Sequence, residues 1–258
     1  MTLLPRFPLP LIAAAVAALL PLASHAQPPA EGDAPRSSWA AGLAVMPETQ
    51  AYRDFDDKLR VLPLLTFENR WVRVFGPGLE LKLGRSGPLS YGLTASYARD
   101  GYDAGDSPFL AGMDKRRASA WLGARLGLRT EFASLSAHWQ ADASGHSKGQ
   151  KLRLGAERRL ALGEVGLTPR LSATWLDGKF INYYYGVRMG EVRADRAAYT
   201  PGSTVNTELG LRVDYRLAPQ QTVFADVGVT LLGGAIKHSP LVDRSTLPEL
   251  RVGWLYAF

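Results

Sequence analysis

From Ser37 onward, apolar and polar residues alternate with a period of two. In Leu89–Tyr97 one parity carries Leu89, Tyr91, Leu93, Ala95 and Tyr97, and the other Ser90, Gly92, Thr94 and Ser96. Between Ala118 and Leu128, Leu122, Ala124, Leu126 and Leu128 oppose Ser119, Trp121, Gly123, Arg125 and Gly127. The same alternation runs through Leu135–Gln140, Lys151–Glu157, Leu167–Trp175, Glu208–Tyr215 and Leu250–Phe258. Successive side chains on a strand point to opposite faces, so the pattern predicts strands with one apolar and one polar face. The runs last roughly 9–11 residues, long for a globular strand and the right length for a tilted strand crossing a bilayer.

The polar parity is rich in Arg, Glu, Asp, Gly, Ser and Thr, the composition of a barrel lumen whose outer face meets lipid. Aromatics (Trp39, Trp71, Tyr97, Trp139, Trp175, Tyr215, Trp254, Tyr256 and Phe258) fall near the ends of runs, as an interfacial girdle requires. The predicted fold is therefore all-β, a closed antiparallel transmembrane β-barrel over 38–258. A soluble exported all-β protein is the competing reading. Short connections are expected at Arg85–Pro88, Thr130–Glu131, Gly163–Gly166 and Ala218–Gln221, and long ones at Arg99–Lys115, Ser144–Gly149, Asp177–Thr204 and Gly233–Pro248. With the C-terminus in the periplasm the long connections are extracellular.

Strand seeds at Trp39, Leu59, Trp71, Leu89, Ala118, Ala133, Leu152, Leu167, Leu209, Val223 and Leu250 give an odd count, whereas bacterial single-chain barrels are even. Either one strand lies near Phe180–Val187, or the region Leu59–Gly84, interrupted by Gly76-Pro77-Gly78, holds one more. Twelve strands are favoured, with 10 as the alternative.

The N-terminus has a separate job. Arg6 precedes an apolar stretch from Leu9 to Leu22, and Ser24-His25-Ala26 ends it with small residues where a signal peptidase reads. Residues 1–26 are expected to be an export signal cleaved between Ala26 and Gln27, and 27–37 a flexible periplasmic lead-in rich in Pro. The terminal strand carrying Trp254, Tyr256 and Phe258 is expected to be the assembly signal for the barrel-insertion machinery. It must also pair with the first strand, so that no edge stays open in lipid.

Composition alone looks like an ordinary soluble chain. The protein has 258 residues, 46% of them hydrophobic, 30 Lys+Arg against 24 Asp+Glu, and no cysteine. These values exclude a disulfide scaffold and a cysteine-ligated metal centre. The net charge of +6 lacks the clustering with aromatics that nucleic acid requires. Parity reconciles composition with a membrane protein, because half of each strand can face lipid while the mean hydropathy stays slightly negative.

Candidate chemistry is sparse. No His has a second His or a carboxylate at metal-ligand spacing, so neither a metal nor another cofactor is expected. His138 shares the lumen parity with Ser136 and Gln140, which keeps a lipid hydrolase in view, although a hydrogen-bonded lumen histidine is the plainer reading. His238-Ser239 sits in a loop before Pro240. The acidic loop Asp100, Asp103, Asp106 and Asp114 lacks the ordered spacing of a calcium loop. Along the lumen parity Arg125, Arg129, Lys151, Arg153, Arg159, Arg170, Arg212, Arg216 and Arg251 meet Glu80, Glu157, Glu208, Asp214 and Asp226. Charges away from water need partners, so a crossed ionic network filling the lumen is expected, and a narrow charged pore is its functional alternative.

Several strings together resemble one family. They are Asp106-Ser107 with Leu110-Ala111-Gly112-Met113 and Arg116, Tyr184-Tyr185-Gly186-Val187, Tyr199 with Pro201-Gly202, Ser239-Pro240-Leu241-Val242, and the aromatic end at Phe258. In order and spacing they look like the MipA/OmpV family of outer-membrane proteins, one branch of which is named for interaction with the lytic transglycosylase MltA. Lys237-His238 departs from the acidic residue expected before Ser239. The resemblance implies a non-enzymatic scaffold in the outer membrane linking a lytic transglycosylase and a murein synthase. It also implies contact with outer-membrane lipid and lipopolysaccharide. Asp106, Ser107, Tyr183, Tyr184, Tyr185 and Ser239 are the candidate loop contacts. A small-solute, porin-like channel is the first alternative and an outer-membrane lipid hydrolase the second.

Overall fold

A computed structural model describes residues 37–258. The signal, its cleavage site at Ala26 and Gln27, and the lead-in lie outside the described residues except for Ser37. The described chain is a closed antiparallel barrel of twelve staves built from thirteen strand segments. In chain order these are β1 (Ser38–Glu48), β2 (Lys58–Glu68), β3 (Val72–Phe75), β4 (Gly78–Ser86), β5 (Leu89–Ala98), β6 (Ser119–Arg129), β7 (Ser134–Asp142), β8 (Gln150–Glu157), β9 (Leu160–Leu162), β10 (Val165–Leu176), β11 (Thr204–Ala218), β12 (Gln221–Leu231) and β13 (Thr246–Ala257). Each stave pairs with its sequence neighbours, and β13 closes on β1 with Leu43 opposite Trp254.

Segments β8 and β9 are one stave, since both pair with β10. The break at Arg158–Arg159 has a local cause. Arg158 N–H donates to the carbonyl of Pro169 on β10 at 3.2 Å, but Pro169 has no N–H to return the second bond of the pair.

The uncertain region resolves in favour of Leu59–Gly84. Gly76-Pro77 is a turn, with Gly76 at φ +52°, and it divides the seed at Trp71 into β3 and β4. Phe180–Val187 is not a strand but mostly helix. β3 is only four residues long, so β2 has no strand partner from Lys58 to Leu64 on that side. Pro63, which has no N–H to leave unpaired, lies in this stretch.

Parity sorts the side chains as expected. Leu43, Val61, Leu93, Leu122, Leu126, Leu154, Leu209, Val227 and Val252 are exposed on the outer wall. An apolar belt this continuous does not persist on a soluble protein; it faces lipid. Trp39, Trp71, Tyr215, Trp254 and Phe258 mark the short-turn end of the wall, and Tyr97, Trp139 and Trp175 the long-loop end. The main hydrophobic core lies mostly among the long connections, with Trp121 of β6 and Leu176 of β10 joining it from the sheet.

Candidate functional site

The long connections fold into a cap over one end of the barrel. They carry a 3-10 turn at Pro108–Leu110, α1 (Gly178–Tyr185), a second 3-10 turn at Met189–Glu191 and α2 (Gly234–Lys237). Asp177 starts α1, its side chain accepting from Phe180 N–H at 2.8 Å. Such a cap offsets the β-branched and aromatic run that follows. Leu110, Ile181, Tyr184, Ile236 and Leu241 are fully buried together. Trp121, on the lumen face of β6, packs against Phe180, with ring centroids 5.8 Å apart. The cap therefore rests on the top of the lumen.

Ionic bonds pin the cap. Arg116 and Glu191 form a buried pair, the guanidinium reaching both carboxylate oxygens at 2.7 and 2.9 Å. Arg116 also donates to the carbonyls of Tyr183 (2.6 Å) and Asp114 (2.9 Å). Glu191 accepts from the N–H groups of Asp114 and Arg188. Burial opposes the charged carboxylate, but the Arg188 N–H and Arg116 bonds outweigh it and hold Glu191 below the usual range. Arg196 spans three carbonyls, those of Glu191 (2.9 Å), Phe109 (2.6 Å) and Ala111 (3.2 Å). Burial raises the phenols of Tyr52, Tyr184 and Tyr185, and that of Tyr102 to about 12, so all four stay neutral at physiological pH.

The candidate loop contacts converge here, mostly facing inward. Ser107 is buried; its Oγ accepts from Phe109 and Leu110 N–H and donates to the Arg53 carbonyl at 2.7 Å. Asp106 accepts from Asp103 N–H at 2.8 Å in a half-buried turn. Tyr184 donates to the Arg117 carbonyl at 3.0 Å, and Tyr183 Oη accepts from Arg117 N–H at 3.0 Å. The Tyr185 ring stacks on Tyr52, and its carbonyl accepts from Ser239 Oγ at 2.7 Å. Ser239 is buried, whereas Lys237 and His238, the departure from the family pattern, are exposed on the cap. The strings behind the family resemblance thus mark the interior of the cap. Three acidic-loop carboxylates pair with separate cations: Asp100 with Lys151, Asp103 with Lys115 and Asp114 with Arg188. No cluster of three or more potential metal ligands occurs among the described residues.

Below the cap the lumen holds the crossed network. Arg170 pairs with Asp226 and with Glu208 (3.0 Å); Arg212 reaches Asp226 at 3.0 Å and Arg153 reaches Glu208 at 2.7 Å. The Arg170 guanidinium lies where a Cβ at Gly210 would stand, so that glycine makes room for it. Arg170 lines both lumen cavities, one of about 400 Å³ toward the cap and one of about 810 Å³ toward the short turns. His138 bonds Thr94 Oγ1 at 2.8 Å. At the other end of the wall, the Tyr256 ring lies tilted against Trp254 and edge-on to Phe258, and Phe258 N–H donates to the Trp39 carbonyl at 2.9 Å. The aromatic end is thus built into the seam that closes the barrel.

An apolar belt with aromatic rims, a charged lumen, and long connections at one end only define a β-barrel of the bacterial outer membrane. Comparison with known sequences agrees. Residues 40–258 match the family model "MltA-interacting protein MipA", and the chain belongs to that family. Outer membrane protein OmpV of Vibrio cholerae is 27% identical over 209 residues, spanning 80% of this chain and 81% of that protein. The MltA-interacting protein of Escherichia coli K12 is 26% identical over 226 residues, spanning 86% and 90%. Among solved structures, OmpT of Vibrio cholerae aligns over 88% of this chain and 99% of its own, at 9% identity and a TM-score of 0.42.

Proposed function

We propose that this barrel is a non-enzymatic scaffold that anchors murein-remodelling enzymes at the outer membrane. The observation that carries this reading is the loop cap packed over one end of the barrel, with the ionic layer around Arg170 crossing the lumen beneath it. The lytic transglycosylase enters through the name of the Escherichia coli relative, and the murein synthase through the family resemblance. An enzyme of the periplasm meets the short-turn face, where Trp71 and Phe132 are exposed. The cap then serves outer-leaflet lipid and lipopolysaccharide or simply seals the barrel. His138 bonds the Thr94 hydroxyl rather than Ser136, so the Ser136–His138 pairing that kept a hydrolase in view is not the one formed.

Affinity capture of the full-length protein from membranes, with periplasmic murein enzymes present, tests the reading. Enrichment of a lytic transglycosylase over an unrelated barrel supports it; equal recovery sinks it.

A further inference from the structure

The larger lumen cavity has an unbalanced wall. It reaches the short-turn rim at Arg70, Trp71, Gly87 and Pro88, and its upper end meets Arg170. Eight Lys and Arg side chains line its roughly 810 Å³, against three carboxylates, those of Glu68, Glu80 and Glu157. Part of the charge is internally matched: Arg73 and Lys82 pair with Glu68, and Arg153 with Glu208. Arg85, Arg125 and Arg129 have no carboxylate within ion-pair distance among the described residues. Arg85 stands on β4 and the other two on one face of β6, separated by Gly127. A second feature points the same way. Ser172, also in this wall, is buried to 6% exposure, and its hydroxyl has no hydrogen-bond partner. Buried polar groups are normally satisfied, and a cleft lined by one sign of charge concentrates ions of the other.

We infer that the short-turn half of the lumen is a binding pocket for a small anionic molecule carrying two or more carboxylates, of the class of acidic peptides and sugar acids. Planar carboxylates suit the guanidinium fork, and several of them match three unpaired arginines arranged around one space. The volume suits a ligand of a few residues, since small-molecule sites commonly span about 300–1,000 Å³. The inference does not need a docked enzyme, so failed affinity capture leaves it standing.

Calorimetric titration of the full mature barrel in detergent with triglutamate, triglutamine and inorganic phosphate tests it. Triglutamate is expected to bind and to weaken at least about tenfold in R125Q/R129Q and again on raising salt from about 0.05 to about 0.5 M. R125K/R129K, which keeps the charge but loses the guanidinium fork, is expected to recover only part of the affinity. Protection of wild-type arginines from phenylglyoxal by triglutamate gives a readout that needs no variant to fold. Equal binding of triglutamine, equal binding of phosphate, unchanged affinity in R125Q/R129Q or no protection would each overturn the assignment.

Discussion

Replacing Glu191 by alanine should loosen the cap while leaving the barrel wall intact. The side chain is 4% exposed and satisfies four donor contacts: two from the Arg116 guanidinium and the N–H groups of Asp114 and Arg188. Removing one partner of a buried ion pair typically costs about 3–5 kcal/mol, because the other charge stays buried. Arg116 keeps two carbonyl acceptors, at Tyr183 and Asp114, which places the expected loss near the lower figure, about 3 kcal/mol. At about 1.4 kcal/mol per tenfold, local opening of the cap becomes roughly a hundredfold more frequent. Amide hydrogen exchange read by mass spectrometry resolves this. Peptides over 102–118 and 178–199 should lose protection in E191A, whereas peptides from β6 and β11 should not change. Loop protection equal to wild type would refute the reasoning that this pair holds the cap closed.

Acid should act on the same group. Glu191 is held below its ordinary value, so its contribution is present above the unfolded pKa, near 4.5, and is lost as pH falls through the folded one. Loop exchange in wild type should therefore accelerate below about pH 4, a dependence that E191Q should blunt. Gly149→Ala should disturb the seat of α1, since the new Cβ would stand 2.7 Å from Phe180 Cβ, at a cost of about 1–3 kcal/mol in cap stability measured by the same exchange. Gly42→Ala would drive a methyl into the Trp254 carbonyl at the closing seam, and should lower the yield of heat-modifiable barrel in refolding assays. His138→Ala should leave the membrane lipid profile unchanged; an altered profile would revive the hydrolase reading.

The wall was legible in the sequence because each stave repeats one simple rule, alternation over about ten residues. The rule failed where the repeat was too short. β3 is four residues long and shares one seed with β4, so parity alone could not separate them. It also misleads at Phe180–Tyr185, whose aromatic residues favour strands, until Asp177 turns the segment into a capped helix. The cap itself has no period to detect. Arg116 and Glu191 are separated by 75 positions, and no local pattern couples them. Only the family strings pointed there, and most of their residues turn out to be packing and capping groups inside the cap. Ser172, Arg125 and Arg129 sit on the expected parity, whereas Arg85 joins them only through the register shift between Lys82 and Gly84; which charges find partners depends on register across the barrel, as with Arg153 and Glu208.

Single-channel recording in planar bilayers tests the sealed-barrel account most directly. The account predicts that wild-type protein inserts without steady conductance. A stable, ohmic wild-type pore would contradict it and favour the channel reading.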